Sequence, residues 1–205
     1  MNNLSHASAS HLAELVRTRQ VSALELVNAA LDRIERVNPH VNAVVHVSRD
    51  LAQSQAAEVD RLIASGERIG PLAGVPMTVK DMYEVAGMPS TSGTLGRARF
   101  VPDRDATVVE RLRRAGAVVL GKTNVPEFGL AFESTNLVYG TTNNPYDVTR
   151  TAGGSSGGAA AALAAGLAAL EVGSDGGGSI RLPAHFCGVA GFKPTHQRVS
   201  KAGHF

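Results

Sequence analysis

The sequence predicts an α/β fold in which helices cover a mostly parallel, mixed sheet, and three observations predict it. Short apolar, β-branched segments alternate with helical stretches, as layered α/β folds require. Helical stretches open on capping residues and close on glycine. Apolar residues, 43% of the chain, are spread over its whole length, which is too much buryable surface for disorder. With 205 residues, one domain over residues 1–205 is expected, since domains commonly run to roughly 100–200 residues.

The elements follow in order. A short helix is expected around residues 10–19. Ser22 and Glu25 form a capping-box pair ahead of Leu24, Val27, Leu31 and Ile34, so residues 22–37 read as an amphipathic helix. Residues 41–47 are β-branched enough for a strand, and residues 51–64 return to helix before Gly66. GVPMTVK, residues 74–80, reads as a strand after a Pro and Gly turn. Asp105 is the expected cap of a helix ending at Gly116, and residues 117–120 form a buried strand. Beyond Thr151 the chain turns glycine-rich, and residues 157–170 form a small-residue helix whose face can approach neighbouring backbone closely.

Composition excludes several classes. Twenty Lys and Arg face eighteen Asp and Glu, and the tight basic cluster Arg111, Arg113 and Arg114 lies inside a helix, so it is a solvated face and not a nucleic-acid stripe. Cys187 is the single cysteine; it can neither form an internal disulfide nor, without partners at ligand spacing, build a zinc site. The N-terminus lacks a signal-peptide pattern, and the longest apolar stretch, residues 159–170, is too short to span a membrane. A cytoplasmic protein with a small-molecule substrate, no metal and no membrane attachment is expected.

Two motifs could carry chemistry. GAVVLGKT, residues 116–123, matches the phosphate-loop pattern letter for letter, which opens nucleotide hydrolysis as an alternative. Its middle reads as strand, however, and Pro126 follows too closely for a helix to begin at Lys122. The glycine-serine segments GGSSGG (153–158) and GSDGGGSIR (173–181) flank the small-residue helix. Such runs let several backbone N–H groups converge beside a serine nucleophile, which is what stabilising an oxyanion requires; a flexible linker is the plain alternative.

A serine nucleophile needs a base, yet none of His6, His11, His40, His46, His185, His196 or His204 stands out. Lys80 ends an apolar strand just before Asp81. An unperturbed lysine is neutral in only about one molecule in 2,500 at pH 7, so burial would have to lower its pKa. A salt bridge to Asp81 would do the opposite, and the residues alone leave both roles open.

Taken together, residues 153–195, GGSSGGAAAALAAGLAALEVGSDGGGSIRLPAHFCGVAGFKPT, closely resemble the signature of the amidase signature family. VKDMYEVAGMPSTSG (79–93), GKTNVPEFG (121–129) and NNPYDVTRTAGGSSGG (143–158) resemble it too. The resemblance implies an amidase-signature fold and hydrolysis of carbon-nitrogen amide bonds without metal or organic cofactor. It implies Ser179 as nucleophile, Ser155, in a cis peptide, as the bridging serine, and Lys80 as neutral base. Backbone N–H groups of Gly176, Gly177, Gly178 and Ser179 would form the oxyanion hole, with Ser156, Asp175 and Arg181 in support. The stretch FGLAFESTNLVYGTTNNPYD resembles general bacterial amidases more than the amidase component of the tRNA-dependent amidotransferase.

The sequence departs from the family pattern at Ala152, at Gly177 and at Gln197, where a glycine is usual; Gln197 would be strained if the turn needs a positive φ. The family's catalytic domain is also substantially longer, so the fold is expected to be incomplete at its C-terminus. A non-catalytic remnant is therefore a further alternative, and a homodimer is the assembly considered.

Overall fold

The computed structural model describes residues 4–205. Helix α1 (Ala9–Arg17) opens on Ser8, whose hydroxyl accepts from His11 N. Helix α2 (Ala23–Val41) opens on the predicted capping box, Ser22 with Glu25. It continues past residue 37, through Pro39, and stops at Asn42 in the left-handed region, φ 48°. Strand β1 is therefore confined to Val44–Val47, with the Asn38 side chain closing the junction by accepting from Ala43 N and Val44 N. Helix α3 (Arg49–Ala64) and strand β2 (Pro76–Lys80) follow as expected.

Helix α4 (Thr107–Arg114) is capped at Ala106 and not at Asp105. The Asp105 carboxylate is engaged elsewhere, accepting from Ala86 N at 2.8 Å and pairing with Arg113 at 3.4 Å. Strand β3 runs over Val118–Thr123, beyond the predicted residue 120. Two small hairpins pair β4 (Thr135–Asn136) with β5 (Gly140–Thr141) and β6 (Asn143–Asn144) with β7 (Asp147–Thr151). Helix α5 (Gly157–Ala164) is shorter than the composition suggested: Gly166 turns the chain at φ 67°, and Leu170–Val172 form strand β8. Helix α6 (Arg181–Phe186) completes the order.

The main sheet has the order β1-β3-β2-β8, antiparallel between β1 and β3 and parallel elsewhere. Alternation along β2 sorts its residues by face. Met77 and Val79 join Tyr83, Val85, Met88 and Val109 in one core; Thr78 and Lys80 leave on the opposite face, toward α5. The second core joins Leu12, Val27 and Leu31 of the N-terminal helices to Leu120 and Ala161. Burying each such aliphatic side chain is worth roughly 1.5–3 kcal/mol. Gly158 lets α5 approach β3 directly, since a Cβ there would lie 2.3 Å from Asn124 N.

Candidate active site

Three segments meet beside the end of β2: Lys80 itself, the turn at residues 152–156 entering α5, and the loop at residues 173–180 entering α6. Lys80 is wholly buried, and its Nζ donates to Ser155 Oγ at 2.7 Å and to Ser174 Oγ at 3.0 Å. Asp81 faces the other way and pairs with Lys122 at 3.0 Å, so the alternative ion pair between Lys80 and Asp81 is not formed. Burial pulls the Lys80 pKa down from 10.5 to about 7, against the opposing charges of Glu171 and Asp175. About half of the amine is then neutral at pH 7, the condition for accepting a proton.

Ser155 is 2% exposed, and the Gly154–Ser155 peptide bond is cis. A Cβ at Gly154 would lie 2.8 Å from three backbone atoms, Ala131 O, Glu133 N and Phe132 C, so only glycine fits there. Ser134 clasps the turn from outside: its Oγ donates to Gly153 O at 3.1 Å and accepts from Gly157 N at 2.9 Å.

Ser179 is tied to the same turn through its backbone, its carbonyl accepting from Ser156 N at 3.0 Å. Ser156 Oγ donates to Ser174 O at 3.3 Å, which joins the two loops again. Ser155, Ser156, Ser174 and Ser179 all wall one cavity of about 1340 Å³. Among the described residues, Lys80 and Ser155 share a side-chain hydrogen bond, whereas the Ser179 side chain makes none.

Asp175 organises the loop that carries Ser179. Its carboxylate accepts from Gly178 N (2.8 Å), Ile180 N (3.1 Å) and Arg181 N (3.3 Å), and from Arg181 Nε and Nη2 (3.0 Å each). The Arg181 guanidinium, helped by these amides, holds the Asp175 carboxyl well below the usual carboxylate range. One expectation is thereby corrected: the Gly178 amide is committed to Asp175. Among the described residues, no hydrogen-bond partner engages the amides of Gly176, Gly177 and Ser179, and the two glycines are exposed with open space around them.

The phosphate-loop alternative does not fit the geometry. Residues 118–123 are buried strand, and Lys122 Nζ is taken by Asp81 Oδ1, Tyr83 O (2.8 Å), Pro89 O (3.1 Å) and Ser90 Oγ (2.9 Å). No loop of free amides stands there to cradle a phosphate. Gln197 takes φ 68°, the left-handed conformation that its glycine-replacing position foreshadowed. Ser134, Ser174 and Glu171 escaped the sequence reasoning. Ser174 stood inside the glycine-serine segment already singled out, whereas nothing local marked Ser134. Among the described residues no cluster of three or more His, Cys, Asp or Glu is arranged to hold a metal, and no helix is long and apolar enough to cross a membrane.

The amidase family model matches residues 25–205. The chain is 48% identical to a glutamyl-tRNA(Gln) amidotransferase component of Carboxydothermus hydrogenoformans, over 98% of this chain and 41% of that protein. It is 47% identical to an acylamidase of Rhodococcus erythropolis, over 94% of this chain and 40% of the relative. Overall identity thus does not separate the two kinds of relative that the residues around 128–147 were expected to distinguish. The structure of native peptide amidase from Stenotrophomonas maltophilia superposes with a TM-score of 0.94 at 37% identity, over 98% of this chain and 42% of that one. This chain therefore spans about two fifths of the length of these relatives. With the family model covering most of its length and sequence and fold agreeing, the chain belongs to the amidase family.

Proposed function

We propose that this chain carries the catalytic residues of an amidase that cleaves carbon-nitrogen amide bonds of small substrates through an acyl-enzyme on Ser179. The observation that supports this most directly is the buried 2.7 Å contact between Lys80 Nζ and Ser155 Oγ, Ser155 lining the same cavity as Ser179. A lysine desolvated among hydroxyls can be neutral near pH 7, which is what a relay base needs.

Ser179 Oγ attacks the amide carbonyl and passes its proton to Ser155 Oγ, whose own proton moves to Lys80 Nζ. The oxyanion forms against the amides of Gly176, Gly177 and Ser179, where each lost donor costs about 3–4 kcal/mol. Collapse breaks the C–N bond, and the relay returns a proton to the departing amine. Water then attacks the ester through the same relay and frees the acid. No step calls for a metal or an organic cofactor. Ser156 and Asp175 act by holding the two loops in register, and Arg181 by holding Asp175. A lone, buried cysteine suits a reducing compartment, and the cytoplasm is the location this reading implies.

The test is incubation with a fluorophosphonate followed by intact mass, with Ser179→Ala alongside. One covalent adduct on the chain, absent from Ser179→Ala, is the expected result. Absence of any adduct on the folded chain overturns the proposal.

A further inference from the structure

Cross-strand register places four side chains on the face of the sheet that looks toward α5. Thr78 and Lys80 are two apart on β2; Lys80 stands opposite Thr123 of β3, and Thr78 opposite Glu171 of β8. The Glu171 carboxylate is gripped from both neighbouring strands, accepting from Thr123 Oγ1 at 2.8 Å and from Thr78 Oγ1. Glu171 is partly buried and lines the same cavity as Ser155 and Ser179, and withdrawing its carboxylate from water in this way is costly unless something gains from its charge. Its surroundings contain two cations, Lys80 and Lys122, and the second already has Asp81 in contact.

We propose that Glu171 is a positioning residue of the amidase site, clamped by Thr78 and Thr123 so that its carboxylate supplies the counter-charge when Lys80 takes up the proton. Glu171 does not take the proton: Lys80 gains it from Ser155, becomes an ammonium, and is stabilised by the clamped carboxylate on the neighbouring strand. The proposal rests on the amidase reading of Lys80. Burial raises the Glu171 carboxyl to about 7, while the two threonine hydroxyls and the lysines pull it toward the ionised form. The other charged or titratable groups in reach are Asp175 beside Lys80, and His204, which senses Lys80 from the end of the chain. On the opposite face, Lys122 is paired with Asp81 and senses Arg97, and His46 of β1 senses both members of that pair.

The experiment is a pH titration of the Lys80 side chain by NMR, with lysine isotope-labelled at Cε and the Lys80 resonance identified by its loss in Lys80→Met. Glu171→Gln, which keeps the shape but not the charge, lowers the Lys80 midpoint by about one pH unit, the low end of what a nearby opposite charge produces. Thr123→Val removes one hydroxyl grip and moves the midpoint the same way by less; it carries the test if Glu171→Gln does not fold. A purely structural role would lower thermal stability and leave the midpoint in place. An unchanged or raised midpoint overturns the proposal. Because the titration requires no turnover, the Ser179 adduct reports separately on the amidase reading: a shifted midpoint without an adduct would defeat that reading alone, and an adduct without a shift would defeat the role of Glu171 alone.

Discussion

Lys80 and Lys122 lie on adjacent strands of one sheet, both wholly buried, and burial lowers the proton affinity of each. They leave the sheet on opposite faces and meet opposite surroundings. Lys122 finds a carboxylate in contact, Asp81 at 3.0 Å, together with Ser90 Oγ and the carbonyls of Tyr83 and Pro89. Lys80 finds two serine hydroxyls, with its nearest carboxylates out of contact. Desolvation alone does not make a lysine a base. What matters is whether the amine is in direct contact with a carboxylate, which holds the ammonium, or with hydroxyls, which serve either protonation state while any carboxylate stays out of contact.

The sharpest way to break this contrast is to remove each amine in turn. Lys80→Met is expected to slow Ser179 labelling on the order of 10⁴-fold, the upper range for a general base, without loss of thermal stability. Measuring adduct formation beside a melting curve checks both halves. Lys122→Met should invert the pattern. Leaving Asp81 buried and unpaired destabilises by about 3–5 kcal/mol, seen as a lower denaturation midpoint, while the folded fraction still labels.

A smaller effect comes from pH. The labelling rate should fall roughly fiftyfold from pH 7 to pH 5, approaching tenfold for each further unit below the Lys80 midpoint, and level off above it. Stability follows the same group with a definite sign. Lys80 titrates at about 7 when folded and at 10.5 when unfolded, so between those values the unfolded chain binds the extra proton. The Lys80 contribution to stability therefore rises with pH across that window and is lost as pH falls through about 7. Chemical denaturation at several pH values, compared with Lys80→Met, isolates it. The smallest expected change is Ser134→Ala, which leaves the Gly157 amide and the Gly153 carbonyl without their bridge and costs about 1–3 kcal/mol, with slower labelling because the Ser155 turn loosens.

Much of the fold was legible along the chain, and the misses share one cause. The capping box at Ser22 and Glu25, the amphipathic helix behind it and the buried strands read at residues 74–80 and 117–120 are local patterns that tertiary contacts reinforce, the second extended to residue 123 by pairing on both sides. Asp105 looked like a cap by the same rules but was drawn away by Ala86 N and Arg113, groups remote from the helix start it was expected to cap. Helix α5 was overextended because alanine-rich sequence is helical in isolation, whereas residues 170–172 gain more by pairing with β2.

The chain by itself determined the alternation of helix and strand, the glycines that permit close approach, and the serines and lysine that can do acyl-transfer chemistry, because these depend on residue type and short spacing. Only the tertiary structure decided which lysine faces hydroxyls and which faces a carboxylate, that Gly178 is held by Asp175, and that Ser134, Ser174 and Glu171 surround Lys80 and the Ser155 turn. Those outcomes depend on cross-strand register and on loops brought together from distant parts of the chain, and a one-residue change of register would exchange the faces of Lys80 and Asp81.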